Sequence, residues 1–155
     1  MRKYLVLFLF SFYSFIIFAD DVTQIRNMYI SSIDNEKKCE DFGKHMLSLN
    51  YDENNLYQAY LGCYYFIKCK FTSSNLLKFK YFNKGKDLLE SSIKNNSNSI
   101  ELRFLRYSIQ VNLPRILFYY QNIEQDLNFI HLHLDLLKEE KLKKYILTSL
   151  NNLNK

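Results

Sequence analysis

Ile100-Glu-Leu-Arg-Phe-Leu-Arg-Tyr-Ser-Ile-Gln-Val-Asn-Leu-Pro114 is the stretch whose reading decides the fold. At about 100° per residue its side chains fall into four stripes. Ile100, Phe104, Tyr107 and Val111 make one apolar face, and Leu102, Leu105, Ile109 and Leu113 make a second on the opposite side. Two polar seams separate them. Arg103, Arg106 and Gln110 lie along one flank, and Glu101, Ser108 and Asn112 along the other. A helix apolar on two opposed faces must be covered on both. This stretch is therefore expected to be the central helix of an all-α domain.

The composition agrees. The chain has 155 residues, is 48% hydrophobic, and holds only 3 Gly and 1 Pro. So few turn formers suit helices joined by short polar links better than the many tight turns of a β-sandwich or barrel. The net charge is +5, falling to +3 without Arg2 and Lys3. With no long basic run, that balance does not mark a nucleic-acid binder.

The N-terminus reads as an export signal. Met1-Arg2-Lys3 is a basic start, Tyr4 to Phe18 is an apolar and aromatic run with interspersed Ser, and Ala19 precedes Asp20-Asp21. This order is that of a Sec-type signal peptide, with cleavage expected after Ala19. The apolar run is shorter than the roughly 20 residues of a spanning helix. The expected mature chain is one domain over residues 20–155, periplasmic or secreted, with no membrane span.

Outside the central stretch, apolar residues recur at helical spacing. Val22, Ile25, Tyr29 and Ile33 mark a first helix, recapped at Asp34-Asn35; Cys39, Phe42, Met46 and Leu49 mark a second. Asn54–Lys70 is apolar nearly all round, and its Ala59, Gly62 and Cys63 suggest close approach by a neighbour. From about Lys78 to Lys94 the pattern turns one-sided, and Ser99 is the expected cap of the central helix. Arg115–Tyr120 is ambiguous between a helical turn and a bend. Helices are expected again over Gln121–Leu137 and Glu139–Leu153, the last with Glu139–Lys143 and Glu140–Lys144 pairs. About seven helices result, arranged as antiparallel hairpins.

The segment Asn54–Gln110 resembles tetratricopeptide-type helical hairpins. Y-L-G-C-Y-Y-F (Tyr60–Phe66) stands for the first helix and F-N-K-G-K-D-L-L-E-S-S-I-K (Phe82–Lys94) for the second. N-N-S-N-S-I-E occupies the place of the D-P-N-N-x-E junction, with Asn96 where Pro is usual. The second buried helix begins about 45 residues after the first, against 34 in that repeat. The combination of Y-F-N-K-G-K-D-L-L-E with I-E-L-R-F-L-R-Y-S-I-Q also resembles small exported bacterial proteins. The resemblance implies a fold and no reaction.

The polar candidates are few. Arg103, Arg106 and Gln110 share a seam where buried guanidinium groups need counter-charges. Either internal carboxylates (Glu90, Glu101, Glu124 or Asp126) pair with them, or the seam holds a small anionic ligand or a partner carboxylate. Phe118, Tyr119 and Tyr120 lie in the ambiguous segment and would form an apolar contact patch if exposed. His131 and His133 point about 160° apart on a helix, the wrong spacing for a metal pair, and His45 has no predictable neighbour. Cys63 and Cys69 are separated by about 9 Å of helix rise, too far to bridge; a Cys39–Cys63 disulfide is geometrically open. No phosphate loop, nucleophile elbow or carboxylate pair is present. The expectation is therefore an exported, non-catalytic module that binds a protein or peptide, with no cofactor and no metal. The alternatives are an anion binder at Arg103/Arg106 and a hydrolase with an unrecognised site.

Overall fold

The computed structural model describes residues 22–153, and among them the secondary structure is helical throughout, with no strand. The expected signal peptide lies outside the described residues. The helices are α1 (22–32), α2 (Glu36–Ser48), α3 (Asn55–Lys70), α4 (Asn75–Asn95), α5 (Ile100–Asn112), α6 (Ile123–His133) and α7 (Glu140–Leu153). Short 3-10 turns interrupt the links at Tyr51–Glu53, Arg115–Leu117 and Leu134–Leu136.

Side-chain caps set most of the starts, by accepting from backbone N–H groups that have no partner within the helix. Asn35 Oδ1 accepts from Lys38 N at 2.9 Å and Asn54 Oδ1 from Leu56 N at 2.9 Å. Ser74 Oγ caps α4 and Ser99 Oγ caps α5, at 3.4 and 3.3 Å. The Ser74 cap corrects the expected start of α4. The helix begins at Asn75, not near Lys78, and residues 75–80 lie outside the amphipathic pattern because their side chains are exposed. Likewise α6 ends at His133 and tightens into a 3-10 turn before Leu137.

α2 and α3 run antiparallel, with Phe42 against Tyr64 (6.4 Å between ring centres) and Lys68 on Glu40. α3 and α4 do the same, with Phe66 against Phe82 and Tyr65 stacked on Tyr81. Their axes are brought together at Gly62 and Gly85. A Cβ added to either glycine would sit 2.9 Å from the carbonyl oxygen of the other. The cluster of small residues in α3 thus marks a backbone contact, which a larger residue would wedge open.

α5 lies between two cores, as its four stripes require. Leu102 and Leu105, with Ile109 and Leu113 beside them, join the larger core built by α1 to α4. Phe104 and Tyr107, with Ile100 and Val111, join the smaller core of Ile130, Leu134, Leu142, Ile146 and Leu150 from α6, the 3-10 turn after it, and α7. The members of the expected Glu139–Lys143 pair take other partners. Lys143 Nζ reaches Asp135 at 2.8 Å, and Glu139 meets Arg26 of α1.

Candidate functional site

Both polar seams of α5 are used, for different purposes. On the basic seam, Asp126 of α6 is fully buried and accepts from three donors. Arg106 Nε and Nη2 approach it at 2.7 and 2.9 Å, and Arg103 Nη1 at 2.9 Å. Arg106 Nη1 also reaches Glu90 of α4 at 2.7 Å. Glu90 in turn accepts from the Tyr119 hydroxyl at 2.6 Å. Burial opposes the Arg106 charge, but the bonds and field of Asp126, joined by Glu90, outweigh it and hold the guanidinium pKa above its ordinary value. The Tyr119 phenol is pushed far up by burial and by its bond to Glu90. Arg103 is completed by the Ser97 carbonyl at 3.0 Å and by the Phe129 ring at 5.0 Å. Gln110 exchanges hydrogen bonds with Asn122, through its amide nitrogen to Asn122 Oδ1 (3.4 Å) and from Asn122 N to its Oε1 (3.3 Å).

The candidate residues of the basic seam are therefore gathered in one place and joined to internal carboxylates and to α6. The aromatic group separates. Phe118 takes a left-handed backbone (φ 49°) after the Arg115–Leu117 turn, which sends neighbouring side chains opposite ways. Phe118 is 69% exposed, whereas Tyr119 is buried against Phe66 and Phe82. Tyr120 is half-buried, with the Arg115 guanidinium 4.9 Å from its ring centre. His133 stacks on Phe129 and shares a hydrogen bond with its carbonyl; His131 is exposed on another side of α6. The three cysteines are free thiols. No group of three or more His, Cys, Asp or Glu among the described residues could hold a metal ion.

The opposite seam of α5 divides in two. At its start, Glu101 is buried and receives both Nε and Nη2 of Arg26 (2.7 and 2.8 Å) as well as the Tyr60 hydroxyl at 2.7 Å. This bidentate clasp ties α1 to the central helix. Further along, Ser108 and Asn112 open onto a half-open groove of about 500 Å³ between α1, α3, α5 and α7. Phe66, Ile67, Phe104, Ile109, Leu113 and Leu153 supply apolar walls. Ser149 and Asn152 of α7 face Ser108 and Asn112 across it as neutral hydrogen-bonding groups.

The groove's electrostatics are simple. Among the described residues its lining contains no Asp, Glu, His or Cys, and Lys70 is the one charged residue there, held by Asp34 at 2.7 Å and the Ile33 carbonyl at 2.7 Å. Burial pushes the Tyr29 phenol well above its ordinary value, and pushes Tyr145 up to about 12 against a bond from Ser149. Both phenols stay neutral over the physiological range. A neutral trough of this size, apolar on its walls and amide- and hydroxyl-bearing on its edges, has the make-up of a binding site.

Sequence reasoning singled out the basic seam and missed the groove. The signal was present in Ser108 and Asn112 on α5 and Ser149 and Asn152 on α7, two polar pairs each spaced to share a helix face. Nothing in the sequence says that these two faces meet. Comparison of the chain with protein-family models, with curated proteins and with solved structures finds no match.

Proposed function

We propose that this chain is an exported, non-catalytic helical module that binds an extended segment of a protein or peptide in the groove between α1, α3, α5 and α7. The observation that carries the proposal is the pairing of apolar walls with neutral donors and acceptors along one trough. Asn side chains both donate and accept, which suits the alternating N–H and C=O groups of a peptide backbone. Asn112 Nδ2 already donates to the Ser108 carbonyl at 2.8 Å, leaving its Oδ1 as an acceptor. Apolar side chains of the bound segment would displace water from Phe66, Ile109 and Leu113. Export by the Sec route is supported by the basic start, apolar run and Ala19 of the first nineteen residues. A tetratricopeptide-like arrangement is supported by the antiparallel α3–α4 hairpin and the junction that follows it.

Peptides selected against the purified protein test the proposal. The best binder is titrated against Ser108→Trp, whose ring would fill the trough from its edge. The expected result is a loss of about a hundred-fold in affinity, the scale of a binding hot spot, with unchanged helical circular dichroism. Undiminished binding by the filled protein would overturn the groove as the site.

A further inference from the structure

We propose that the exposed start of α4 docks the protein onto an anionic lipid surface. The inference is independent of the groove. Residues 73–80 are all exposed, so the first turns of α4 present their side chains to solvent, although the backbone already meets α3 at Lys78, whose carbonyl accepts from Cys69 Sγ at 3.4 Å. Those turns carry Leu76, Leu77 and Phe79, which are 79%, 42% and 62% exposed. Single exposed apolar residues are ordinary; three within four positions at an exposed helix start are a patch. Leu76 and Phe79, three apart, lie on one stripe, with Lys80 beside them.

The charge around the patch selects its occupant. From Asn54 to Lys86 the chain contains no Asp or Glu and six Lys. Lys68 and Lys70 are paired with Glu40 and Asp34 of α2 and the α1–α2 turn, and Lys84 and Lys86 lie over the rings of Tyr65 and Tyr119. Lys78 and Lys80 have no carboxylate partner among the described residues and flank Phe79 directly. Apolar side chains interleaved with lysine at an exposed helix end suit a bilayer interface, where the first enter the acyl boundary and the second meet anionic headgroups. A second copy of the tip would bring like charges together. A nucleic acid or acidic protein would match the lysines and leave Leu76 and Phe79 in water. Since no described helix is long and apolar enough to cross a membrane, the contact is peripheral.

The chain contains no Trp, so Phe79→Trp gives a single reporter at the patch. With vesicles of phosphatidylglycerol and phosphatidylcholine, the expected result is co-sedimentation and a blue shift of the Trp emission, with neither on phosphatidylcholine alone. Lys78→Gln with Lys80→Gln should weaken binding about thirty-fold, near five-fold for each charge removed at the surface. Leu76→Ser should weaken it as well. All of these positions are exposed, so helical content should not change. No binding to the anionic vesicles at low salt overturns the proposal. So does binding that depends on the lysines without a blue shift or any effect of Leu76→Ser, which would indicate a polyanion ligand. Self-association abolished by Leu76→Ser, in place of vesicle binding, overturns it equally.

Discussion

At the scale of single residues, Asp126 is the position where one change removes most. It is the shared acceptor of Arg103 and Arg106, with no part of its side chain exposed. Asp126→Ala leaves two guanidinium groups facing each other, with Glu90 as the one carboxylate still paired to them among the described residues. Breaking a buried pair by deleting one partner costs about 3–5 kcal/mol. The expected outcome is a urea midpoint lowered to match, or failure to fold; a midpoint within error of the parent protein would show that the network contributes little. Arg103→Gln should cost less, because Arg103 is more exposed and keeps only one of the three bonds to Asp126. The need for counter-charges on the basic seam was legible from periodicity, and Asp126 and Glu90 were among the acids within reach. Which helix delivers the acid depends on how α6 returns across α5, and helical periodicity carries no information about that return. The same holds for Phe118 and Tyr119, adjacent in sequence and opposite in burial because one residue adopts a left-handed backbone.

Among the elements, the α3–α4 hairpin depends on contact between two backbones. Gly62→Ala places a methyl group 2.9 Å from the Gly85 carbonyl oxygen and 3.2 Å from Leu89 N. Neither backbone atom can swing aside as a side-chain tip could. Overpacking of this kind costs about 1–3 kcal/mol, partly offset by the better helix propensity of Ala. Thermal denaturation should show a lower Tm for Gly62→Ala and for Gly85→Ala, and the double variant should lose less than the sum if the helices separate once. An unchanged Tm in both would mean that the helix axes can move apart without cost. The close approach could be anticipated from Ala59, Gly62 and Cys63, since small residues on a buried helix leave room for a neighbour's backbone. The true start of α4 could not. Leu76, Leu77 and Phe79 are apolar yet face water, so a pattern that equates apolar with buried places the helix start several residues late. That mismatch between residue type and environment is the feature on which the lipid-surface proposal rests.

For the molecule as a whole, α5 couples two cores and two ionic networks, and the two-sided stripe of Ile100–Leu113 made that central position readable in advance. The groove was not readable, because it arises where α1, α3, α5 and α7 meet, a property of assembly and not of any one helix. The same assembly buries acidic protons in the larger core. Burial pushes the phenols of Tyr29 and Tyr60 far above their ordinary value of 10.0. It also raises the thiol of Cys63 far above, and that of Cys39 to about 11 from, an ordinary 9.0. Tyr60 is raised further by donating to Glu101. In each case the folded state holds the proton more tightly than the unfolded chain. Below about pH 8 both states are protonated at these groups, so they add no pH dependence. Above that, first the thiols and then the phenols of the unfolded chain release protons that the folded one retains, and stability falls as pH rises. Urea midpoints should therefore show no alkaline loss from these groups up to about pH 8 and a decline beyond it that steepens as the phenols join the thiols above about pH 9. Absorbance at 295 nm should report ionisation of the buried phenols only together with the loss of helical circular dichroism. If the phenols instead titrate completely near pH 10 with the helices intact, the core around Tyr29 and Tyr60 is open to hydroxide and is less closely packed than the structure indicates.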